Sequence, residues 1–443
     1  MSRLIRFAVV AGIAQVLVLF APAAQPAPSD EPPPTPEPAP VPGPLPQPQP
    51  EPVPTDPVPL QPATQPPAPD PTPEPPEEPA PPPKQAGFRR NFAGSIQLDY
   101  MAVLTENTGR RIAFDGATAE VSLKIAMDFN SRISSNVKVC VACHGFEVGM
   151  AFFDIRVADE LNFRVGRFTP TFGDFPVRHD PANHRTSDKP LPYDMGRMLR
   201  GTDWNQGVLP APWVDNGLEI SGTHYFGQNL QTSYALFAVG GPRAASNPVD
   251  FDFAQSRSGE SYYIDNNSRP VVGGQAALSL SSGKFNASIG ASMMRGTYDP
   301  DHRLPFAMFG THLVFRYKDI FLRFEYLNRK TKMDMGDDPA TVFKYGPGRD
   351  GYDPYFVKEG AYAELEVPIH QRLTLVWRED GLRRRGNVVN TSALSSDSAL
   401  VRHTAALAIA LGQSVRVKVS YERYDFSDFD DESVIHTGIA GPF

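Results

Sequence analysis

The chain has 443 residues, of which 41% are hydrophobic and 21% charged, with 47 prolines and two cysteines. Its formal net charge is −8, and residues 24–84, with nine acidic residues and one lysine, account for nearly all of that charge. The rest of the chain is close to neutral and carries no block of basic residues, which argues against nucleic-acid binding.

The first 23 residues have the three parts of a secretory signal peptide. Arg3 and Arg6 precede an apolar run over residues 7–20, and Ala21-Pro22-Ala23 provides a small-residue cleavage site. A membrane anchor is the alternative, but the run is short for a hydrocarbon core of about 30 Å and no basic flank follows it. We therefore expect residues 1–23 to be removed on export.

Residues 24–87 are dominated by proline, alanine, glutamate and glutamine. Such a sequence cannot bury a core and favours extended polyproline II conformations. We therefore expect a disordered linker of about 60 residues that is separate from the folded domain.

From about residue 88 onward, apolar and polar residues alternate, which is typical of half-buried strands. Residues 415–422 show the pattern clearly, since Val415, Val417 and Val419 oppose Arg416 and Lys418. About sixteen such segments are predicted, at 92–104, 117–129, 132–141, 146–157, 161–171, 214–226, 229–240, 270–282, 284–297, 306–317, 319–331, 355–368, 371–380, 399–411, 413–425 and 433–443.

The connections between these segments alternate between tight turns, such as Gly227-Gln228, and long polar loops, such as 172–213 and 332–354. This asymmetry predicts a transmembrane antiparallel β-barrel over residues 88–443, with its short turns and its linker on the periplasmic side. A soluble β-sandwich or solenoid is the alternative fold for alternating strands. No nucleophile, base and acid occur together in a recognisable pattern, so an enzyme is not predicted.

The last strand ends at Phe443, and a terminal aromatic residue resembles the C-terminal signature of bacterial outer-membrane barrels. With the alternation from about residue 92, the chain resembles the phosphate-selective-porin-like group of sixteen-stranded porins. The resemblance implies an outer-membrane location in contact with lipid, passive diffusion of small solutes and a homotrimeric assembly.

The polar faces of the predicted strands should line the lumen. Bases outnumber acids there, which favours a mild anion preference; pairing of these charges inside a wet lumen is the alternative. The candidate pore-lining bases are Lys124, Arg164, Arg316, Arg323, Arg378, Arg402, Arg416 and Lys418.

The loop 172–213 is long and rich in proline, aromatic and charged residues, and such loops are usually ordered and functional. We expect it to fold into the lumen as a constriction. His179 and His184 lie in it and are candidates for a metal contact or a haem axial ligand, with ordinary loop histidines as the alternative.

Residues 140–144 read Cys-Val-Ala-Cys-His and contain both cysteines of the chain. This is the spacing of c-type haem attachment, in which Cys140 and Cys143 bind the porphyrin edge and His144 binds the iron. A Cys140–Cys143 disulfide, which an oxidising compartment permits, and a zinc site are the alternatives. The alternation predicts that Cys140 faces the lumen and Met150 the lipid, with a bulge near Phe152-Phe153.

Together these features predict a porin-like outer-membrane barrel with one covalent c-type haem. Its role would be electron transfer at the cell envelope, and periplasmic or surface cytochromes would be its redox partners. A passive porin whose two cysteines form a disulfide is the alternative function.

Overall fold

The computed structural model describes residues 88–104, 116–142, 145–245, 249–253, 265–344 and 353–443. The predicted signal peptide and linker, residues 1–87, lie outside the described residues. No helix within the described ranges has the length and apolar character needed to cross a bilayer.

The described residues form a closed antiparallel barrel in which each strand pairs with its neighbours in sequence and β1 pairs with β16. The strands are Arg89–Val103 (β1), Gly116–Asp128 (β2), Ile133–Ala142 (β3), Gly145–Ala158 (β4), Leu161–Phe168 (β5), Asp215–Phe226 (β6), Leu230–Val239 (β7), Val271–Ser282 (β8), Phe285–Thr297 (β9), Pro305–Tyr317 (β10), Ile320–Lys332 (β11), Tyr355–His370 (β12), Leu373–Gly386 (β13), Asp397–Ala410 (β14), Arg416–Phe426 (β15) and Glu432–Pro442 (β16). Short helical turns occur at Phe175–Arg178, Leu191–Tyr193, Gly201–Trp204 and Pro339–Val342.

This architecture confirms the predicted sixteen-stranded transmembrane barrel. The largest difference in strand ends is in β13, which continues to Gly386 although the prediction ended it at residue 380. Three consecutive arginines at 383–385 suggest a polar loop, yet their positions keep the strand alternation, because Leu382 is buried and Arg383 is 44% exposed.

The two faces of the wall differ as the alternation predicts. In β15, Lys418, Ser420 and Glu422 are fully buried on the lumen side, whereas Val419 and Tyr421 are about two-fifths exposed on the outside. The buried apolar side chains, including Phe168, Phe172 and Tyr193, lie inside the barrel around the loop that follows β5. The outer wall is therefore oily and the interior is filled by polar side chains and that loop.

The predicted bulge in β4 is present, but it lies at Gly149 and not near Phe152-Phe153, so the predicted lipid-facing orientation of Met150 was wrong. Lys138 of β3 pairs with Met150 and Val139 with Val148, so Gly149 is an extra residue in the ladder. A one-residue bulge there moves all later side chains to the opposite face. Phe152 is consequently 7% exposed and packs inside, and Met150 also contacts the interior cluster rather than lipid.

The barrel closes where Gly94 meets the terminal residue Phe443. Their backbones exchange two hydrogen bonds, of 2.9 Å and 3.0 Å. A Cβ atom at Gly94 would lie 2.2 Å from Phe443 Cζ and 2.6 Å from the backbone oxygen of Ser122. The seam therefore requires a residue without a side chain at position 94.

We expect Gly94→Val to weaken closure of the barrel. The ring of Phe443 can rotate away, but the Ser122 carbonyl belongs to the sheet, so overpacking should cost about 1–3 kcal/mol. Urea unfolding of the folded barrel, followed by its heat-dependent mobility on gels, measures this loss. Ala117→Val, an exposed position on the adjacent strand, is the control, and equal midpoints for both variants would contradict the role of the seam.

Candidate functional site

The loop between β5 and β6, residues 169–214, folds into the barrel and is called here the inward loop. Glu325 of β11 is its main anchor and is 1% exposed. The Glu325 carboxylate accepts hydrogen bonds from the Tyr193 hydroxyl at 2.5 Å, the Asp174 amide at 2.8 Å and the Phe175 amide at 3.3 Å. Tyr362 of β12 donates a fourth bond at 3.1 Å.

A second anchor is built around Arg402 of β14, which is fully buried. Its guanidinium donates to Asp380 on β13 at 2.7 Å and 2.9 Å, and to Asp188 of the inward loop at 2.5 Å. Glu422 of β15 lies 3.3 Å from the same guanidinium. A buried arginine is tolerated here because carboxylates from the wall and from the loop compensate its charge.

Lysine side chains of the wall bond to loop carbonyls. Lys358 of β12 donates to the carbonyl oxygens of Trp204, Asn205 and Gln206 at 2.5 Å, 3.2 Å and 2.8 Å. Lys418 of β15 donates to the carbonyl oxygen of Pro181. The inward loop is thus held along its length by charged groups of the barrel wall.

The eight candidate pore-lining bases occupy four different environments. Arg378, Arg402 and Lys418 are fully covered by the inward loop, whereas Lys124 on β2 and Arg316 next to the β10–β11 turn are exposed. Arg164 and Arg323 form ion pairs with wall carboxylates, Arg164 with Asp154 and Glu219, and Arg323 with Glu364 and Glu366. Arg416 donates to the carbonyl oxygen of Ala182 at 2.6 Å. Most of these charges are therefore paired or covered; whether the eight residues line the ion path stays a prediction.

Two of the cavities between the inward loop and the wall differ in the charge of their lining. One of about 60 Å³ is lined by charged residues of the loop and of β1, β2 and β16, including Glu120, Asp188 and Arg197. The other, of about 190 Å³, has an uncharged polar lining that includes Thr171, Ser221, Ser233 and Gln275. The first of these cavities is therefore charged and the second is neutral.

His179 and His184 are both buried but are held in different places. His179 donates from Nδ1 to the Pro176 carbonyl at 2.5 Å, and its Nε2 lies 3.5 Å from Nζ of Lys138 on β3. His184 donates to the Thr186 carbonyl at 3.0 Å and packs on Phe175. Burial and the neighbouring lysines and arginines lower the pKa of His184, so its imidazole is neutral.

Asp188, Glu422 and His436 place one potential metal ligand each within 4.8 Å of one another. The guanidinium of Arg402 already contacts both carboxylates, and Arg197 donates to Nε2 of His436 at 2.9 Å. Cations of the protein occupy the positions that a metal ion would take, so this cluster is an ion-pair network.

Cys140 lies on β3, within the described residues, whereas Cys143 and His144 lie outside them. Cys140 is half-buried and has no disulfide partner among the described residues. It stands in register between Ser122 of β2 and Glu147 of β4. Ser122 bonds to its register partner Ser95 of β1 at 2.8 Å, and both are buried on the inner face. The row of side chains that includes Cys140 therefore faces the lumen. The end of β3 at Ala142 and the start of β4 at Gly145 lie at the end of the barrel that carries the long loops.

Solved structures with this fold are outer-membrane proteins. OmpF of Salmonella typhi, in a complex with daunomycin, has a TM-score of 0.50 at 12% identity, over 81% of this chain and 98% of that chain. An anion-selective porin from Comamonas acidovorans (TM-score 0.47, 11% identity, 80% of this chain and 100% of that one) and the DcaP channel of Acinetobacter baumannii (0.47, 11%, 81% and 99%) are further matches. No family model and no curated protein matches the sequence. At this identity the likeness concerns the fold: a porin-type barrel.

Sequence reasoning did not identify Glu325 as an anchor of the inward loop, and it missed Asp188 and Asp380 as partners of Arg402. The available signal was weak. A carboxylate on the lumen side of a strand can be recognised as a buried anchor only when its hydrogen-bond or ion-pair partners are known.

We expect Glu325→Ala to release the inward loop, because its donors Tyr193, Asp174 and Phe175 would lose their acceptor in a buried site. The loss should amount to at least about 3 kcal/mol. Trypsin, which cleaves after lysine and arginine, should then cut within residues 169–214 at least tenfold faster in the folded barrel. Glu120→Ala on β2 is the control, and equal protection of the loop in both variants would contradict the anchor.

We expect Asp194→Asn to flatten the dependence of stability on pH. Burial, with Asp188 nearby, raises the pKa of Asp194 to about 7. This pKa is higher than that of an aspartate in the unfolded chain, so the folded state holds the proton more tightly. The free energy of unfolding therefore falls as pH rises toward 7, by up to about 1.4 kcal/mol per pH unit. Urea midpoints between pH 5 and pH 8 measure this effect.

In the Asp194→Asn variant the amide should keep the bonds that Asp194 Oδ1 accepts from the Gly196 and Met198 amides at 2.6 Å and 3.2 Å. Asp301→Asn, in an exposed loop, is the control for the loss of a carboxylate. Parallel pH curves for wild type and Asp194→Asn would show that this group does not titrate with folding.

Proposed function

We propose that the protein is an outer-membrane channel for passive diffusion of small solutes, with the inward loop as its constriction. The proposal rests on one observation: the closed barrel has an apolar outer wall and a polar interior that is narrowed by an anchored loop. A closed barrel leaves no strand edge bare in lipid, and its long loops would face the exterior. A homotrimer, as in the porins that the chain resembles, is part of the proposal.

We propose further that the channel is weakly selective rather than clearly anion-selective. Arg164, Arg323 and Arg402 are each paired with carboxylates, and Lys418 is covered by the loop. Paired charges contribute little net field to a passing ion. The uncharged cavity beside β6 and β7 also offers no preference for either sign.

The full mature chain, inserted into planar lipid bilayers under a KCl gradient, provides the test. We expect stepwise conductance and a ratio of chloride to potassium permeability within about a factor of two of unity, since the lumen charges are paired. A ratio above five would overturn weak selectivity and favour the anion preference. An absence of conductance steps in folded protein would overturn the channel itself.

We also propose that the Cys-Val-Ala-Cys-His segment carries one covalent c-type haem. In support, Cys140 faces the lumen at the end of β3, and Met150 of the same hairpin faces the same side. Methionine and histidine together form a common axial pair of c-type haems. Lys138 and Asp180 crowd Nε2 of His179, which makes His179 a poor second ligand. Cytochromes in the periplasm or at the surface would be the redox partners.

Expression of the full chain in a host with a haem-attachment system tests this proposal. We expect a haem-stained band on a denaturing gel, because thioether bonds survive denaturation, and a mass increased by one haem. Cys143→Ser should weaken the stain, and His144→Ala should change the absorption spectrum. A mass lower by two hydrogens, with no stain, would show the Cys140–Cys143 disulfide and would overturn the haem proposal.

A further inference from the structure

A cavity of about 660 Å³ lies on the outer face of the barrel, where β8 to β12 meet the long loops. Its lining includes Arg269, Arg295, Lys330 and Tyr355. Inward neighbours of these positions, such as Met294 and Met308, are at most 3% exposed and pack inside the barrel. The cavity is therefore separate from the lumen.

The strand register places four of the side chains that line the cavity in a row across the sheet. Val272 pairs with Arg295, Arg295 with Ala307, and Ala307 with Lys330. With about 4.8 Å between neighbouring strands, Arg295 and Lys330 stand about 10 Å apart, with the small Ala307 between them. Two long cationic side chains thus flank a shallow depression, and Nζ of Lys330 lies 4.5 Å from the ring centre of Tyr355.

The charge of this cavity is uncompensated within the described residues. No carboxylate lines it, and no ion pair of Arg269, Arg295 or Lys330 occurs there. Other outward cations at the same end of the barrel do have partners: Arg383 pairs with Asp397 at 2.6 Å and Arg385 with Glu359 at 2.9 Å. An anion from outside the chain would complement the three cations.

The wall below the cations is apolar. Met293 and Phe309, the next outward positions of β9 and β10, are 67% and 45% exposed, and Ile289 and Leu313 continue this surface toward the turns. A ligand at the cavity would therefore place its charged group between the cations and an apolar portion along the strands. Free phosphate or a soluble anion would use only the upper half of this surface.

We propose that this outer-face cavity binds a phosphorylated glycolipid of the outer leaflet, that is, the lipid A part of lipopolysaccharide. Arginine recognises phosphate oxygens through two parallel hydrogen bonds, and lysine adds a point charge. The acyl chains would lie on Met293, Phe309 and the residues below them. The inference rests on the proposed outer-membrane location, because the long loops must then face the outer leaflet.

Binding of diphosphoryl lipid A to the full mature protein in detergent, measured by native mass spectrometry, tests the site. We expect Arg295→Gln combined with Lys330→Gln to weaken binding at least tenfold, and Arg383→Gln, an outward arginine paired with Asp397, to change it less than twofold. Removal of the lipid phosphates should weaken binding to the wild type to a similar extent.

Equal affinity of the wild type and the double variant would overturn the proposal. Complete competition by inorganic phosphate at millimolar concentration would also overturn it, since the site would then take a free anion. Heat-dependent gel mobility establishes that each variant is folded. Binding of lipid A by a protein that forms no channel would overturn the proposed channel function and leave this site standing.

Discussion

The structure depends on the need to pair every backbone N–H and C=O group of a sheet that faces lipid. Fifteen of the sixteen ladders join strands that are adjacent in sequence, and the sixteenth joins β1 to β16. That last ladder ends at Gly94 and Phe443, where two backbone hydrogen bonds complete the ring. Because the ring is closed, one face of every strand is oily and the other is free to carry charge.

The interior of the barrel is subject to a second constraint, the free-energy cost of removing charged side chains from water. Arg378, Arg402 and Lys418 are fully buried beneath the inward loop, and an uncompensated buried charge would be strongly destabilising. The loop supplies Asp188 and backbone carbonyls to these cations, while Glu325 accepts the loop's own amides and the Tyr193 hydroxyl. Loop and wall therefore stabilise each other, and neither set of polar groups would be satisfied alone.

Strand number, strand faces and the entry of the loop could be predicted because they follow from alternation and segment length. A bulge in β4 could be predicted from the change of phase along the strand, but its position at Gly149 could not, because Val148, Met150 and Phe152 are all apolar. The loop anchors could not either, because Tyr193 and Glu325 are 132 positions apart and Asp188 and Arg402 are 214 apart. Such pairs become visible only when the barrel is closed. For the cysteine hairpin, alternation gives the direction of Cys140 but not the geometry of the tip.

The inward loop covers charged side chains of the wall, and this has a consequence for a barrel from which the loop has moved out. If the loop swung out into the vestibule, Arg378, Arg402 and Lys418 would all become wetted, and Asp188 would leave together with the loop. On the vacated wall Arg378 and Arg402 would keep the wall carboxylates Asp380 and Glu422 as partners, whereas Lys418 would lose the Pro181 carbonyl. A change in the width of the channel would thus exchange buried ion pairs for hydrated ones, with little change in the net charge of the wall.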